Sequence, residues 1–382
     1  MPLSPVLAGL AAYPFVRQDE AIAEVAARGV EVIDFGMGDP REPTPPFIRE
    51  ALVAALGETS SYPRAVGLPE LREAIAGWVE RRFGVVLDPA AEVVPTLGSK
   101  EAIFSLAQLV VDPRSEQRVV VVPEPGYPVY ERGALFAGAE PVLVPLREAN
   151  GFLPDLDALD EQLLGRTAIF WVNYPNNPTG ALAPRAFYER LAELARRHDF
   201  VLASDEAYTE LWFDEPPASA LELENRTNVL AFNTLSKRSS MTGYRSGFAA
   251  GDPALVAAMK AFRPTVGTAP QEFVQRAAVA AWGDEAHVEA TREVYRAKRH
   301  VFLDLFARTG LRVAGSAATM YLWFEVPGGE SSESFATRLL ERGVVVSPGS
   351  YFGEAGEGYA RLALVPTLED CRRAAAIMEE AL

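Results

Sequence analysis

Asn233–Thr234–Leu235–Ser236–Lys237–Arg238–Ser239–Ser240–Met241–Thr242–Gly243–Tyr244–Arg245–Ser246–Gly247 is the stretch on which the reading of this chain turns. It follows the apolar run 229–232, read as a strand, and precedes another at 248–250. A lysine just past a strand, among hydroxyls and within reach of an arginine, can hold a phosphorylated aldehyde. The lysine would form an imine, and the hydroxyls and arginine would take the phosphate. Alone, the same residues describe a solvated Lys–Arg pair in a polar loop. The neighbouring segments decide between the two.

Residues 118–122 form a near-continuous β-branched run of the kind buried on both faces of a sheet, and 167–172 read as another buried strand. The first exits into Pro123–Glu124–Pro125–Gly126–Tyr127–Pro128, a rigid turn displaying an aromatic ring. The second exits into Asn173–Tyr174–Pro175–Asn176–Asn177–Pro178–Thr179–Gly180. Its prolines and glycine hold the backbone around Asn177 more tightly than a simple turn needs. A strand at 200–204 exits at Asp205–Glu206–Ala207–Tyr208. Residues 93–97 followed by Gly98–Ser99–Lys100–Glu101 read as strand, glycine turn and helix. Ser99 is expected to cap that helix, which runs through Val110 and turns its first N–H groups toward any phosphate.

Further strands are expected at 30–35, ended by Gly36–Met37–Gly38–Asp39–Pro40, and at 141–145. Helices are expected at 18–28, 45–56, 69–83, 184–198 and 253–262. Strands alternating with helices imply an α/β fold with a mostly parallel sheet and helices on both faces. Ligands of such sheets bind beyond the carboxyl ends of the strands, where the distinctive segments would converge. From residue 284 the pattern changes to a long charged helix, 284–309, then strands at 321–326, 344–347 and 359–365. Helices at 334–342 and from 368 onward complete a small α+β domain. The expected division is a large domain, 46–285, and a small one formed by 1–45 with 286–382.

A chain of 382 residues with 49% hydrophobic and 23% charged residues can bury a sizeable core. The formal charge of −16 argues against nucleic acid or an anionic membrane as partner, so an anionic ligand must be drawn by local arginines. The single cysteine, Cys371, excludes an internal disulfide and a cysteine metal site. His198, His287 and His300 fall among charged residues on expected helix surfaces, and no metal site is expected. Gly36–Met37–Gly38 is only a fragment of a dinucleotide fingerprint, because Pro40 breaks the helix it would need. The opening residues lack a basic leader and no apolar run reaches spanning length, which leads to the expectation of a soluble cytoplasmic protein.

Asn177-Pro178-Thr179-Gly180, Ser204-Asp205-Glu206-Ala207-Tyr208 and Ser236-Lys237-x-x-x-Met241-x-Gly243-x-Arg245-x-Gly247, in this order, resemble the class I and II aminotransferases. These are fold-type I enzymes dependent on pyridoxal 5′-phosphate, and the resemblance spans essentially the whole chain. It implies the pyridoxal-phosphate transferase fold, with a seven-stranded-type sheet in the large domain. It implies that Lys237 carries the cofactor as a covalent imine and shuttles the substrate proton. Asp205 would pair with the pyridine nitrogen, Asn177 and Tyr208 with the phenolic oxygen, and Tyr127 would stack on the ring. Ser99, Lys100 (largely by its backbone), Ser236 and Arg245 would hold the phosphate, joined by Tyr62 from the neighbouring subunit of a homodimer. Arg361 would grip the substrate α-carboxylate beside Gly38 and Asn177.

Within the family, 36–45, 236–245 and 280–288 look like bacterial N-succinyl-LL-2,6-diaminopimelate aminotransferases of lysine synthesis, which use glutamate as amino donor. The resemblance leaves open aspartate, alanine, an aromatic amino acid or unsuccinylated LL-diaminopimelate as substrate. A cystathionine β-lyase-like elimination and a cofactor-binding regulatory module are the more distant alternatives. Arg41, Arg64, Arg238 and Arg263 are the candidates for a distal substrate carboxylate.

Overall fold

The run Thr167–Asn173 is buried at every position, and it lies at the heart of the main sheet. The structure, a computed structural model, describes residues 4–10 and 14–382; residues 1–3 and 11–13 of the expected N-terminal segment lie outside the described residues. In chain order the strands begin with β1 (Ile33–Asp34), β2 (Val93–Thr96), β3 (Val119–Glu124), β4 (Glu140–Pro145) and β5 (Thr167–Asn173). They continue with β6 (Val201–Asp205), β7 (Val229–Thr234), β8 (Gly247–Gly251) and β9 (Val313–Gly315). The last are β10 (Tyr321–Glu325), β11 (Val344–Val345), β12 (Ser347–Pro348) and β13 (Tyr359–Ala363).

Seven of these form one sheet in the order β2-β8-β7-β6-β5-β3-β4. The pairs from β4 through β7 are parallel, and β8 runs against both of its neighbours. Side chains alternate between the faces with the period of two that a strand imposes. Val120, Val122, Ile169 and Trp171 enter one apolar cluster with the helix Gly98–Val110. Val119, Val121, Phe170 and Val172 enter the other, against Phe187, Tyr188 and Leu191 of the helix Arg185–His198. Burial on both faces is why these strands read as unbroken apolar runs.

A second sheet, antiparallel, has the order β12-β13-β10-β9. The helices Ala286–Thr309 and Leu368–Ala381 cover it, with Phe302, Phe306, Leu362 and Cys371 in a shared core. The early chain joins this layer: β1 pairs in parallel with β11, and Phe35 meets Phe302 edge to face at 5.3 Å.

Several expectations are corrected here. The strand expected at 344–347 is two, because β11 pairs with β1 while β12 pairs with β13. The strand expected at 30–35 shortens to β1, which among the described residues pairs with β11 alone. Ser99 is not a cap: the helix begins at Gly98, and it is the Glu101 carboxylate that accepts the Leu97 N–H at 3.0 Å. His287 is not a surface residue, since its side chain is only 7% exposed. The helix Glu272–Trp282 was not foreseen, although Val274, Ala278 and Ala281 line its buried face.

Phe302 is fully buried where the early chain, the long helix and the small sheet meet. Truncating it leaves a cavity that none of three differently anchored elements can close. Phe302→Ala is therefore expected to cost about 3–5 kcal/mol, read as a lower urea midpoint at unchanged slope. A loss below about 1 kcal/mol would contradict this packing.

Candidate active site

Parallel register brings the sequence motifs together. Asn173 at the end of β5 is the register partner of Asp205 at the end of β6, and the neighbouring β7 ends at Thr234. Beyond these exits lies a cavity of ≈ 440 Å³. Ser99, Lys100, Tyr127, Asn177, Asp205, Tyr208, Ser236, Lys237, Arg245, Gly38 and Arg361 all line it. Tyr62 does not: it is fully exposed and away from the cavity of its own chain.

Lys237 does not sit in a polar loop. Thr234 ends β7 and caps a one-turn helix, Leu235–Arg238, by accepting the Ser236 N–H at 3.1 Å. The turn aims Lys237 into the cavity, where its Nζ donates to the Gly38 carbonyl at 2.5 Å. Burial lowers its pKa to about 8; Asp39 opposes the shift, and the positive charges of Arg361, Arg245 and Lys100 add to it. An amine with a neutral fraction this large close to neutral pH is a nucleophile and a base.

Asp205 is buried at the cavity floor. Its Oδ2 accepts the Tyr130 hydroxyl at 2.7 Å and its Oδ1 the Ala207 N–H at 3.2 Å. Burial raises its pKa to about 6; the Tyr130 and Ala207 hydrogen bonds and the charge of Lys237 hold it lower than burial alone would. Such a carboxylate favours a cationic partner from a ligand.

At one end of the cavity the N-terminus of the helix Gly98–Val110 meets Ser236 and Arg245. Arg245 donates to the Thr242 carbonyl at 2.9 Å and to Ser236 Oγ at 3.4 Å. Gly98 has φ +71, and a Cβ on it would collide with the Arg245 guanidinium. A positive helix end, hydroxyls and a guanidinium make an anion corner of phosphate character.

At the opposite side stands Arg361, on β13 opposite Trp323 of β10 and Ser347 of β12. It donates to Asn177 Oδ1 at 2.8 Å and to the Gly36 carbonyl at 2.5 Å. Its guanidinium lies 4.3 Å from the Tyr321 ring centroid and 4.6 Å from that of Phe352. Tyr321 in turn shares a hydrogen bond of 2.8 Å with Tyr208, hydroxyl to hydroxyl. A Cβ on Gly38 would overlap that same Tyr321 hydroxyl, which is why glycine stands there.

Sequence reasoning missed Tyr130, Asn173, Tyr321 and Phe352. For Tyr130 a signal existed, since it follows Tyr127 by one helical turn, and its ring stacks on Trp171 at 4.8 Å. None of the four distal-carboxylate candidates lines the cavity of its own chain. Arg41 bonds Asp34, Arg64 is exposed, and Arg263 pairs with Glu101. Arg238 is buried against Trp282, 4.7 Å from its ring centroid, and bonds the Ala281 carbonyl at 2.8 Å. Among the described residues, the charged groups lining the cavity are Asp39, Lys100, Asp205, Lys237, Arg245 and Arg361.

The family described as aminotransferase class I and II matches residues 30–378. An LL-diaminopimelate aminotransferase of Nitratidesulfovibrio vulgaris (strain Hildenborough) is 42% identical over 377 residues, 97% of this chain and 96% of the relative. The solved structure of an aminotransferase from Neisseria meningitidis superposes with a TM-score of 0.93 at 36% identity, covering 100% of both chains. That of a probable N-succinyldiaminopimelate aminotransferase from Thermus thermophilus has a TM-score of 0.89 at 34% identity, over 96% of this chain and 100% of that one.

The lowered pKa gives a direct check. At pH 8 about half of Lys237 is neutral, against under about 1% of an ordinary lysine near 10.4. Limited acetylation of the ligand-free protein, mapped by mass spectrometry over a pH series, is expected to show Lys237 half-maximal at about 8. A midpoint near the ordinary value of about 10.4 would contradict the environment described.

Proposed function

This chain belongs to the class I and II aminotransferases, and from that premise we propose that it transfers an amino group between LL-diaminopimelate and 2-oxoglutarate. The family depends on pyridoxal 5′-phosphate, and the residues lining the cavity fit that group. The anion corner closed by Gly98 suits its phosphate, and the buried Asp205 carboxylate suits a protonated ring nitrogen. Tyr127 would flank the ring, Asn177 and Tyr208 would reach its phenolic oxygen, and Lys237 would hold it covalently through Nζ. Once bound, pyridoxal 5′-phosphate supplies a carbonyl that condenses with amino groups and a ring that takes up the electron pair left when Cα loses its proton.

The remaining work falls to this chain. Arg361, held by Asn177 and Gly36, presents a planar fork that would fix the substrate α-carboxylate. Fixing the carboxylate orients the Cα–H bond toward Lys237. Lys237 Nζ, released once the substrate amine has replaced it on the cofactor, would accept that proton and return it one carbon away. Tyr321 and Phe352 cover the Arg361 guanidinium and exclude water, which strengthens its grip.

The similarity to the Nitratidesulfovibrio vulgaris LL-diaminopimelate aminotransferase is the observation that supports the choice of substrate. The far end of LL-diaminopimelate is a zwitterion, whereas that of an N-succinylated substrate carries two carboxylates and no ammonium. The likeness to the Thermus thermophilus structure supports the N-succinylated substrate as the second reading.

The homodimer is proposed on the exposure of Tyr62, which leaves it available to a second copy, and of Val53 and Leu56 just before it. The division at 45/46 and 285/286 is likewise proposed, supported by the pairing of β1 with β11 and by the core that Phe35 shares with the long helix.

Glutamate formation from 2-oxoglutarate should be measured with LL-diaminopimelate and with its N-succinyl derivative as donors. The expected kcat/KM ratio favours the unsuccinylated donor by roughly tenfold or more, the scale of a mismatched polar group in a built site. A preference for the N-succinyl donor would overturn the choice and leave the aminotransferase standing.

A further inference from the structure

Two stretches that resemble the diaminopimelate enzymes, 236–245 and 280–288, have no part in the cavity beyond Ser236, Lys237, Thr242 and Arg245. In the structure they are bonded to each other. Ser239 Oγ lies 2.9 Å from His287 Nε2, and His287 Nδ1 lies 2.6 Å from Asp284 Oδ1. A ring nitrogen facing a carboxylate carries the proton, so Nδ1 donates to Asp284 and Nε2 accepts from the Ser239 hydroxyl. The same Asp284 oxygen accepts the His287 N–H at 3.0 Å, which fixes the ring against the first turn of the helix Ala286–Thr309.

Serine, histidine and aspartate in a line are the arrangement of a hydrolytic nucleophile. Here that role is closed off: Ser239 is 1% exposed and does not line the cavity. What the line touches is the turn that carries Lys237. That turn is only four residues long, and its C-terminal side is held by the Ser239 N–H donating to the Leu235 carbonyl at 3.1 Å. Just beyond, Ser240 has φ 50, a backbone region costly for serine, and its carbonyl accepts the Thr44 hydroxyl at 2.6 Å. A short turn with a strained exit needs side-chain anchors to stay in one arrangement.

We propose that Ser239, His287 and Asp284 form a positioning relay that fixes the direction of Lys237 by tying its turn to the start of the helix Ala286–Thr309. The inference rests on the reading of Lys237 as the residue that holds the cofactor. Arg238 adds a second tie to the same segment, through the Ala281 carbonyl and Glu285, the latter at 2.9 Å. The groups facing His287 are Asp284, Arg238 and Glu210, with the Phe47 ring at 5.5 Å. Burial, and secondarily Arg238, keep the imidazole neutral, against Asp284 and Glu210, so Nε2 stays an acceptor. The helix that receives the tie also supplies Tyr295, Phe302 and Phe306 to the core beneath Leu362, next to Arg361. The relay therefore holds Lys237 in register with the element that supports Arg361.

The test uses the full-length enzyme with His287→Phe, which keeps the ring and removes both nitrogens, and Ser239→Ala, a smaller change. Ser239→Thr keeps the hydroxyl and serves as rescue. Misdirecting a catalytic group by a fraction of its reach costs about tenfold or more, so both loss variants should lower kcat by that factor at a KM within about twofold of the parent. In the cofactor-free protein, the pH midpoint of Lys237 acetylation should move in both variants, and Ser239→Thr should restore kcat and midpoint together. Parent values of kcat and midpoint in both loss variants would overturn the relay. So would a loss of kcat that vanishes on normalising to folded protein. Lys237→Ala tests the underlying reading separately: full activity in that variant removes the assignment of Lys237 itself, whatever the relay variants show.

Discussion

A carboxylate buried at the end of a central parallel strand is the constraint on which the rest of this structure depends. Asp205 has one tyrosyl hydroxyl and one backbone N–H as partners, and its burial raises its pKa to about 6. Removing such a charge from water costs several kcal/mol unless a cation answers it. Between the ordinary aspartate value and about 6, the folded chain binds more protons than the unfolded one. The carboxylate therefore weakens the fold as pH rises through that window, unless a ligand cation sits against it. Tyr130 is placed by its stack on Trp171, and Asn173 donates to the Asp205 backbone carbonyl at 2.8 Å. Within the chain, the charge of Lys237 offsets part of the cost of burying Asp205.

Glu206, one residue on, shows how position decides chemistry. It is as deeply buried and its pKa is pushed to about 7, yet it faces away from the cavity. Its oxygens accept the Ser219 hydroxyl at 2.6 Å, the Ser204 hydroxyl at 2.9 Å and the Ala220 N–H at 2.8 Å. Asp205 lines the cavity, whereas Glu206 staples a loop. Asp205 is the last residue of β6 and Glu206 the first beyond it.

Local signals in the chain carried most of the fold. The parallel core was legible because burial on both faces leaves unbroken runs such as Thr167–Asn173. The cavity was legible because its residues follow strand exits, and register then brings Asn173 beside Asp205. What escaped depends on partners distant in sequence. Nothing local divides 344–347, since the division comes from β1 on one side and β13 on the other. Ser99 has the chemistry of a cap, but the helix begins one residue earlier, at Gly98. Tyr321 and Phe352 flank Arg361, which is distant from both in sequence. The charged flanks of His287 suggest a surface position. Its burial follows from Ser239, 48 positions earlier.

The central claim is that Lys237, on its one-turn helix beside a buried carboxylate, is the residue that holds the cofactor. The most direct measurement is reduction of the protein with borohydride after incubation with pyridoxal 5′-phosphate, followed by peptide mapping. A phosphopyridoxyl mass on Lys237 is expected, at near-stoichiometric yield, with Lys100 unmodified. A label spread over surface lysines, or placed on Lys100 with Lys237 free, would contradict it.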